Sequence, residues 1–389
     1  MRGHMGRDPK EEFFVRILLR AVTLGGVIAV MIAASSSVLA GEDGNRHAVF
    51  VETNGTTGNA ILAYHRAGDG ALTQVATYPT GGLGGAAVGA VVDPLASQGA
   101  LAYDQNNGLL LAVNAGSNTV SVFAVDGDQL RLRQVVGSGG EFPASVAVHD
   151  RFAFVLNAGG DGSVYGYRID GNRLHPIEGS SRILGLANGN PPFFLASPGQ
   201  IGFTPDGNQL IVTTKKNGTI DVFNLSESGR PSAAPTVTAS AGPVPFAFEF
   251  DEEGRLVVSE AGTSSVSSYN INDNGSLTVV DAGVRNGQAA TCWVAAARGY
   301  FFVANAGSAN LSGYAINSEG TLSLITGSQV AASTGGGPID LAASNDGQFL
   351  YVESGGTGAV DEFRVNSDGT LVTIGVVAAV HGLEGIVAI

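Results

Sequence analysis

From residue 47 onward the chain reads as short apolar runs broken by small polar turns, with one composite unit returning again and again. An apolar strand closes on a polar residue and a tight Gly-containing or small-residue turn: FVETNG (50–55), AVNAG (112–116), VLNAG (155–159), IVTTKKNG (211–218), VVSEAG (257–262), VANAG (303–307) and YVESGG (351–356). A second strand follows and ends on an aromatic, at Tyr64, Phe123, Tyr167, Phe223, Tyr269, Tyr314 and Phe363. The interval from the closing polar residue to this aromatic is nearly constant. It is the same from Asn114 to Phe123, Thr214 to Phe223, Glu260 to Tyr269 and Asn305 to Tyr314, and longer from Glu52 to Tyr64. A turn with Gly, usually followed by Leu, comes next: DGAL (69–72), GDQL (127–130), GNRL (171–174), NGSL (274–277), EGTL (319–322) and DGTL (368–371), with SGRP (228–231) in the fourth copy. A further strand precedes the first in SVAVH (145–149), QIGFT (200–204), FAFEF (246–250), WVAAA (293–297) and DLAAS (340–344). Each unit therefore carries up to four short strands. Runs such as LLLAV (109–113) are apolar on both faces, as strands packed between neighbouring sheets must be.

Seven such units predict an all-β protein, a seven-bladed β-propeller of four-stranded blades. The ends predict how it closes. HAVFV (47–51) reads as a second strand with no inner strand before it, and GIVAI (385–389) as an inner strand with nothing after it. Together they complete one blade, which removes the exposed sheet edges.

The segment 1–40 follows a different pattern. Arg2, Arg7, Lys10, Arg16 and Arg20 precede an apolar run from Ala21 to Ala34, and small residues follow, with Val38 and Ala40 at the −3 and −1 positions of a cleavage site. This predicts a signal peptide over 1–40, a short acidic linker over 41–46, and one propeller domain over 47–389 that is secreted or periplasmic, with no stable membrane insertion after cleavage. The composition fits. The chain has 389 residues, a net charge of −14 and only 20 Lys+Arg, which argues against nucleic acid as a partner. Its single cysteine, Cys292, excludes an intramolecular disulfide or a cysteine zinc cluster and reads as packed core.

In a propeller the inner strand begins, and the second strand ends, on the same face. The residues closing the second strands, Glu52, Asn114, Asn157, Thr214, Glu260, Asn305 and Glu353, are therefore expected around one mouth of the central channel, with Asp340 and Glu384 at the starts of inner strands. Three carboxylates among amides suit a hard divalent cation such as Ca²⁺ or Mg²⁺, or a polar ligand. The other reading is a turn cap, since Asn recurs at three of these positions. The spacings between the seven are uneven, and two connections are long: Tyr78–Gly99 and Gly179–Gly199. Both enter an inner strand and are expected over that mouth. Phe193 and Phe194 in the second are lid candidates. Arg182 and Arg285 are the basic residues expected near it.

The rhythm of strand, N-x-G turn, strand, aromatic and DGxL over 47–389 resembles the lactonase family of seven-bladed propellers, which includes one type of 6-phosphogluconolactonase and the fungal 3-carboxymuconate-lactonizing enzyme. SPGQIGFTPDG (197–207) and VVSEAG (257–262) carry the resemblance most closely. It implies a lactone hydrolase acting on a small lactone or carbohydrate-derived acid, with Glu260 as general base or metal ligand and Glu52 and Glu353 assisting. Two of the family's positions differ here. Its histidine ahead of the strand before the PDG turn is replaced by Pro198-Gly199-Gln200, and its Arg-His pair in the next blade by Phe246-Ala247. Those departures leave a second expectation open: a non-catalytic envelope propeller that binds a protein or polysaccharide.

Overall fold

The computed structural model describes residues 47–389; the predicted leader and linker lie outside the described residues. Seven antiparallel sheets follow one another along the chain. Blade 1 comprises Ala48–Glu52, Ala60–Arg66 and Leu72–Pro79, with Ile386–Ala388 as its inner strand; blade 2 comprises Leu101–Asp104, Leu109–Asn114, Thr119–Asp126 and Gln129–Gly137. The inner strands of blades 3 to 7 are Pro143–His149, Pro198–Phe203, Pro245–Phe250, Thr291–Ala297 and Pro338–Ala343. Short extra strands at Arg182–Ile183 and Ala332–Ser333 pair with the third strands of blades 3 and 6.

The ring closes as its ends predict. Val49, Phe50 and Val51 face Ala388, Val387 and Ile386 in antiparallel register. The pairing extends through Glu52 N–H to Gly385 O (3.0 Å), Glu384 N–H to Glu52 O (3.0 Å) and Ile389 N–H to Ala48 O (2.8 Å).

The second strands are buried along nearly their whole length, completely so in LLLAVN at 109–114 and QLIVTT at 209–214, with only Phe152 and Tyr300 half-buried at the starts of theirs. Apolar residues on both faces meet the blades on either side, and this continuous inter-sheet packing is the core. The aromatics ending the third strands fasten one blade to the next. The Tyr314 hydroxyl donates to Val284 O at 2.9 Å and that of Tyr167 to Gly137 O; both carbonyls belong to the outer strand of the preceding blade. Among the described residues no helix is long and apolar enough to cross a membrane.

Candidate functional site

The side chains that close the second strands turn inward within the blades and away from the channel. Asn114 is fully buried; its Oδ1 accepts from Thr80 Oγ1 (2.6 Å) and Asn59 Nδ2 (3.1 Å), and its Nδ2 donates to Ser121 Oγ (2.8 Å). Asn305 repeats the pattern: Oδ1 accepts from Thr291 Oγ1 (2.5 Å) and Asn286 Nδ2 (3.0 Å), and Nδ2 donates to Ser312 Oγ (2.9 Å). Asn157 donates to Ser138 O (3.2 Å), and Thr214 pairs with Thr219 (2.6 Å).

Glu260 occupies the same place with a carboxylate. Oε1 accepts from Gly242 N–H (2.6 Å), Ser267 Oγ (2.9 Å), Ser240 Oγ (3.1 Å) and Tyr269 Oη (3.3 Å), and Oε2 accepts from Ser265 Oγ (2.9 Å). Asn114, Asn157, Glu260 and Asn305 each fix the segment arriving from the preceding blade to their own third strand, whereas Thr214 bonds only Thr219 across its turn. The geometry is that of a turn clamp, because the third strand and the incoming loop supply more donors than the channel does.

Glu52 and Glu353 stand one position earlier than the alignment of the repeats implies. Thr53 bonds Ala60, and Ser354 pairs with Ala359, where Asn114 pairs with Thr119 and Glu260 with Ser265. A slip of one residue moves a side chain to the other face of its sheet. Equivalent positions in other blades, Thr213 and Ser259, bond the neighbouring inner strand at Phe246 O and Cys292 O. Glu52 Oε1 accepts from Asn59 Nδ2 (2.5 Å), while Glu52 Oε2 and both oxygens of Glu353 are buried without a hydrogen-bond partner. Burial, which penalises the charged form, pushes both carboxyls well above the usual carboxylate range, and Asp340 and Glu52 push Glu353 further.

The mouth itself is sealed. Residues 93–100 of the first long connection cross the channel and bond inner-strand segments around the ring. Gln98 carries the most specific of these contacts. Its amide pairs with the free edge of blade 6, Nε2 donating to Val294 O (2.7 Å) and Oε1 accepting Val294 N–H (2.9 Å). Ser97 Oγ donates to Ala144 O (2.7 Å), and Ser97 O accepts the Trp293 indole N–H (3.0 Å). Gln98 N–H donates to Gly199 O (3.0 Å), Leu95 N–H to Glu384 Oε1 (2.7 Å) and Gly99 N–H to Asp340 Oδ2 (3.2 Å). Positive φ at Ala96 (62°) and Gly99 (83°) bends the segment into this path.

Below the seal, the channel keeps a cavity of about 390 Å³ lined by inner strands of all seven blades, with Gln98, Gln200, Glu249 and Asp340 on its wall. Burial raises Glu249 and Asp340 to about 7.

A buried cation sits beside the seal. Lys215 Nζ donates to Ala96 O and to Pro198 O (3.2 Å) and lies 4.6 Å from the Phe246 ring centroid and 5.3 Å from that of Phe194. Burial lowers its pKa to about 8, against the opposing pull of Asp93, Cys292 and Glu384. Asp93 and Glu384 are electrostatic neighbours, bonded to Ala96 N–H and Leu95 N–H of the same turn, and both are raised, chiefly by burial.

The two long connections are strapped together above this cluster. Val88 N–H donates to Pro192 O (2.8 Å) and Phe194 N–H to Val88 O (3.0 Å). Between them lies a cleft of about 520 Å³, walled by Val88, Val91, Val92, Phe193, Phe194, Leu195 and Trp293, with Cys292 and Asp93 also on its lining. Of the two lid candidates, Phe194 packs inward, 6.5 Å from Phe246, and Phe193 is 57% exposed on the rim with Leu195 (64%) and Val91 (92%).

Asp93 and Lys215 were not singled out in the sequence, although each leaves a signal there. Lys215 stands where blades 2, 3, 5 and 6 have Ala115, Ala158, Ala261 and Ala306, and Asp93 is the single charge between Tyr78 and Gly99. Arg182 is committed to the scaffold, donating to Ser232 O (2.6 Å), Gly179 O (2.9 Å) and Ser181 O (2.7 Å). Among the described residues no three His, Cys, Asp or Glu side chains come together to hold a metal ion.

A family model described as lactonase, 7-bladed beta-propeller, matches residues 163–294 and 212–340. No curated protein matches the chain. Among solved structures, a proposed 6-phosphogluconolactonase from Bacteroides uniformis superposes with a TM-score of 0.70 at 18% identity, covering 89% of this chain and 100% of that one. A periplasmic gluconolactonase from Pseudomonas aeruginosa gives 0.65 at 17% identity over 88% and 99%. A Lactobacillus plantarum protein gives 0.69 at 17% over 88% and 99%.

Proposed function

Because this chain is a lactonase-like seven-bladed β-propeller, we propose that it acts outside the cytoplasm as the binder of a small lactone, seated in the cleft between its two long connections. The observation that carries this reading is the cleft itself. Its 520 Å³ suits a small organic molecule, and its walls are almost wholly apolar. The charges beside it are mostly acidic. A free sugar acid would meet Asp93 on a lining that carries no Lys or Arg, whereas an uncharged lactone with an apolar substituent meets surfaces that match it. The succession of basic, apolar and small side chains over 1–40 supports export.

A second reading has an observation of its own. Val91, Leu195 and Phe193 stand exposed together on the rim, which suits docking to an envelope protein or polysaccharide.

Calorimetric titration of the purified protein with γ- and δ-lactones of increasing alkyl length, and with glucono-δ-lactone, separates the two. Affinity is expected to rise about fourfold per added methylene, from ~0.8 kcal/mol of transfer free energy each, and to fall in Leu195→Asp. Tightest binding of glucono-δ-lactone, or no dependence on alkyl length, rejects the cleft as a lactone site. Retention of an envelope component that no lactone displaces favours the docking role.

A further inference from the structure

We propose that the mouth face of the ring docks on a lipid bilayer, with the tips of the two long connections seated among the headgroups.

Charge and apolar exposure are sorted between the two faces. The turns that join inner to second strands, and third to outer strands, gather on the face away from the cleft. Exposed acids crowd them, among them Asp69, Asp206, Glu252, Glu253, Asp346 and Asp368. No exposed large apolar residue stands in those turns; among the described residues all lie on outer strands or in the connections of the mouth face. The mouth face is the reverse. Its two long connections carry no charged residue from Tyr78 to Val92 or from Ile183 to Gly199. The exposed charges around them nearly balance, Glu141, Asp161 and Glu178 against Lys216 and Arg285.

The exposed apolar side chains stand at the tips. Val91 is 92% exposed, Leu195 64% and Phe193 57%, and Val88 joins them at the strap between the connections. Side chains so fully in water project from the surface. A protein partner needs a close-fitting patch, and a polysaccharide needs hydrogen-bonding groups. Separate valine, leucine and phenylalanine tips need neither to enter the boundary between headgroups and acyl chains. The acidic face turns away from the bilayer. With a net charge of −14 the chain is repelled by an anionic leaflet, which favours a zwitterionic one and sets the orientation. Docked this way, the cleft opens toward the acyl chains, where an uncharged ligand with an alkyl tail concentrates. That route of supply rests on the lactone reading above; the docking does not.

The test is co-flotation with phosphatidylcholine vesicles, without lactone, of the protein lacking residues 1–40. The described fold closes on itself within 47–389, and the apolar run Ala21–Ala34 would bring lipid affinity of its own. The wild type is expected to float with the vesicles, and Val91→Asp and Leu195→Asp to need at least about tenfold more lipid. Val376→Asp puts the same charge on an outer strand, at a valine of similar exposure (61%), and should leave binding within about twofold. Added phosphatidylglycerol should weaken binding at low salt, and salt should restore it. A wild type that stays unbound at every lipid concentration overturns the proposal, as does an equal loss in Val376→Asp. A dimer in sedimentation that Val91→Asp dissociates, or an envelope protein or polysaccharide held at these tips in place of lipid, overturns it as well. Because no lactone is present, vesicle binding and lactone affinity can fail independently.

Discussion

Replacing Glu260 tests whether this carboxylate serves the scaffold. In Glu260→Ala five hydrogen bonds lose their acceptor. The hydroxyls of Ser240, Ser265 and Ser267 can turn toward one another, and Tyr269 Oη still accepts Ala241 N–H (2.9 Å). Gly242 N–H has no such freedom. Its orphaning alone costs roughly 1–3 kcal/mol, and the loss of charge-assisted bonds to a buried carboxylate brings the total to about 3–5 kcal/mol. With an unfolding entropy of ~0.7 kcal/mol/K for a domain of this size, the melting temperature should drop by about 4–7 °C. Glu260→Gln keeps the shape and one acceptor and should lose about 1–2 kcal/mol. Equilibrium urea unfolding with calorimetry checks both, alongside lactone titration of the folded variants. The clamp assignment fails if Glu260→Ala unfolds at the same denaturant midpoint as the wild type. It fails equally if Glu260→Gln keeps full stability but no longer binds or turns over lactone, since a clamp acts on the fold and a catalytic base does not.

Three further outcomes follow from the buried polar groups. Asp340 and Glu249 titrate near 7 in the folded protein, against ordinary values of 3.8 and 4.5. The folded state therefore binds more protons than the unfolded state across that interval, and the melting temperature should fall as pH rises from about 4 to above 7; a rise across that range contradicts the assignment. Glu353→Gln removes a buried carboxyl that has no partner and is crowded by Asp340, Glu52 and Asp93. It should raise the melting temperature, with a larger gain at pH 8 than at pH 5; an equal gain at both would remove charge as the cause. Gln98→Ala deletes both bonds to Val294 and should cost about 1–3 kcal/mol, with faster amide exchange across residues 95–99; unchanged exchange would show that Gln98 does not hold the seal.

The repeat made the blades and the closing strand legible because inter-blade packing imposes one pattern seven times. The same repeat misplaced two glutamates. At the ends of strands 48–52 and 349–354 two polar residues stand side by side, Glu52-Thr53 and Glu353-Ser354, and either can be taken as the one that closes the strand. For the second of these pairs the distance to the aromatic held the answer. Phe363 follows Ser354 at the interval that separates Phe123 from Asn114, Phe223 from Thr214, Tyr269 from Glu260 and Tyr314 from Asn305. The long connections were visible as excess length over one mouth. That one of them seals the channel was not, because its bonds run from backbone groups and a single amide to inner strands far away in the sequence. Lys215 and Asp93 depart from the pattern of the repeat without pointing to each other there, and only the folded ring brings them to Glu384.

The pairing of residues 49–51 with 386–388 also orders events in time. Neighbouring blades form from contacts local in sequence, while the final sheet joins strands from opposite ends of the described chain. Until residues 385–389 arrive, the molecule is an open arc with a bare strand at 48–52, a template for pairing with another copy. A chain crossing a membrane amino-terminus first would stay in that arc until its tail emerged, so any factor that shields the waiting edge would govern the yield of closed rings.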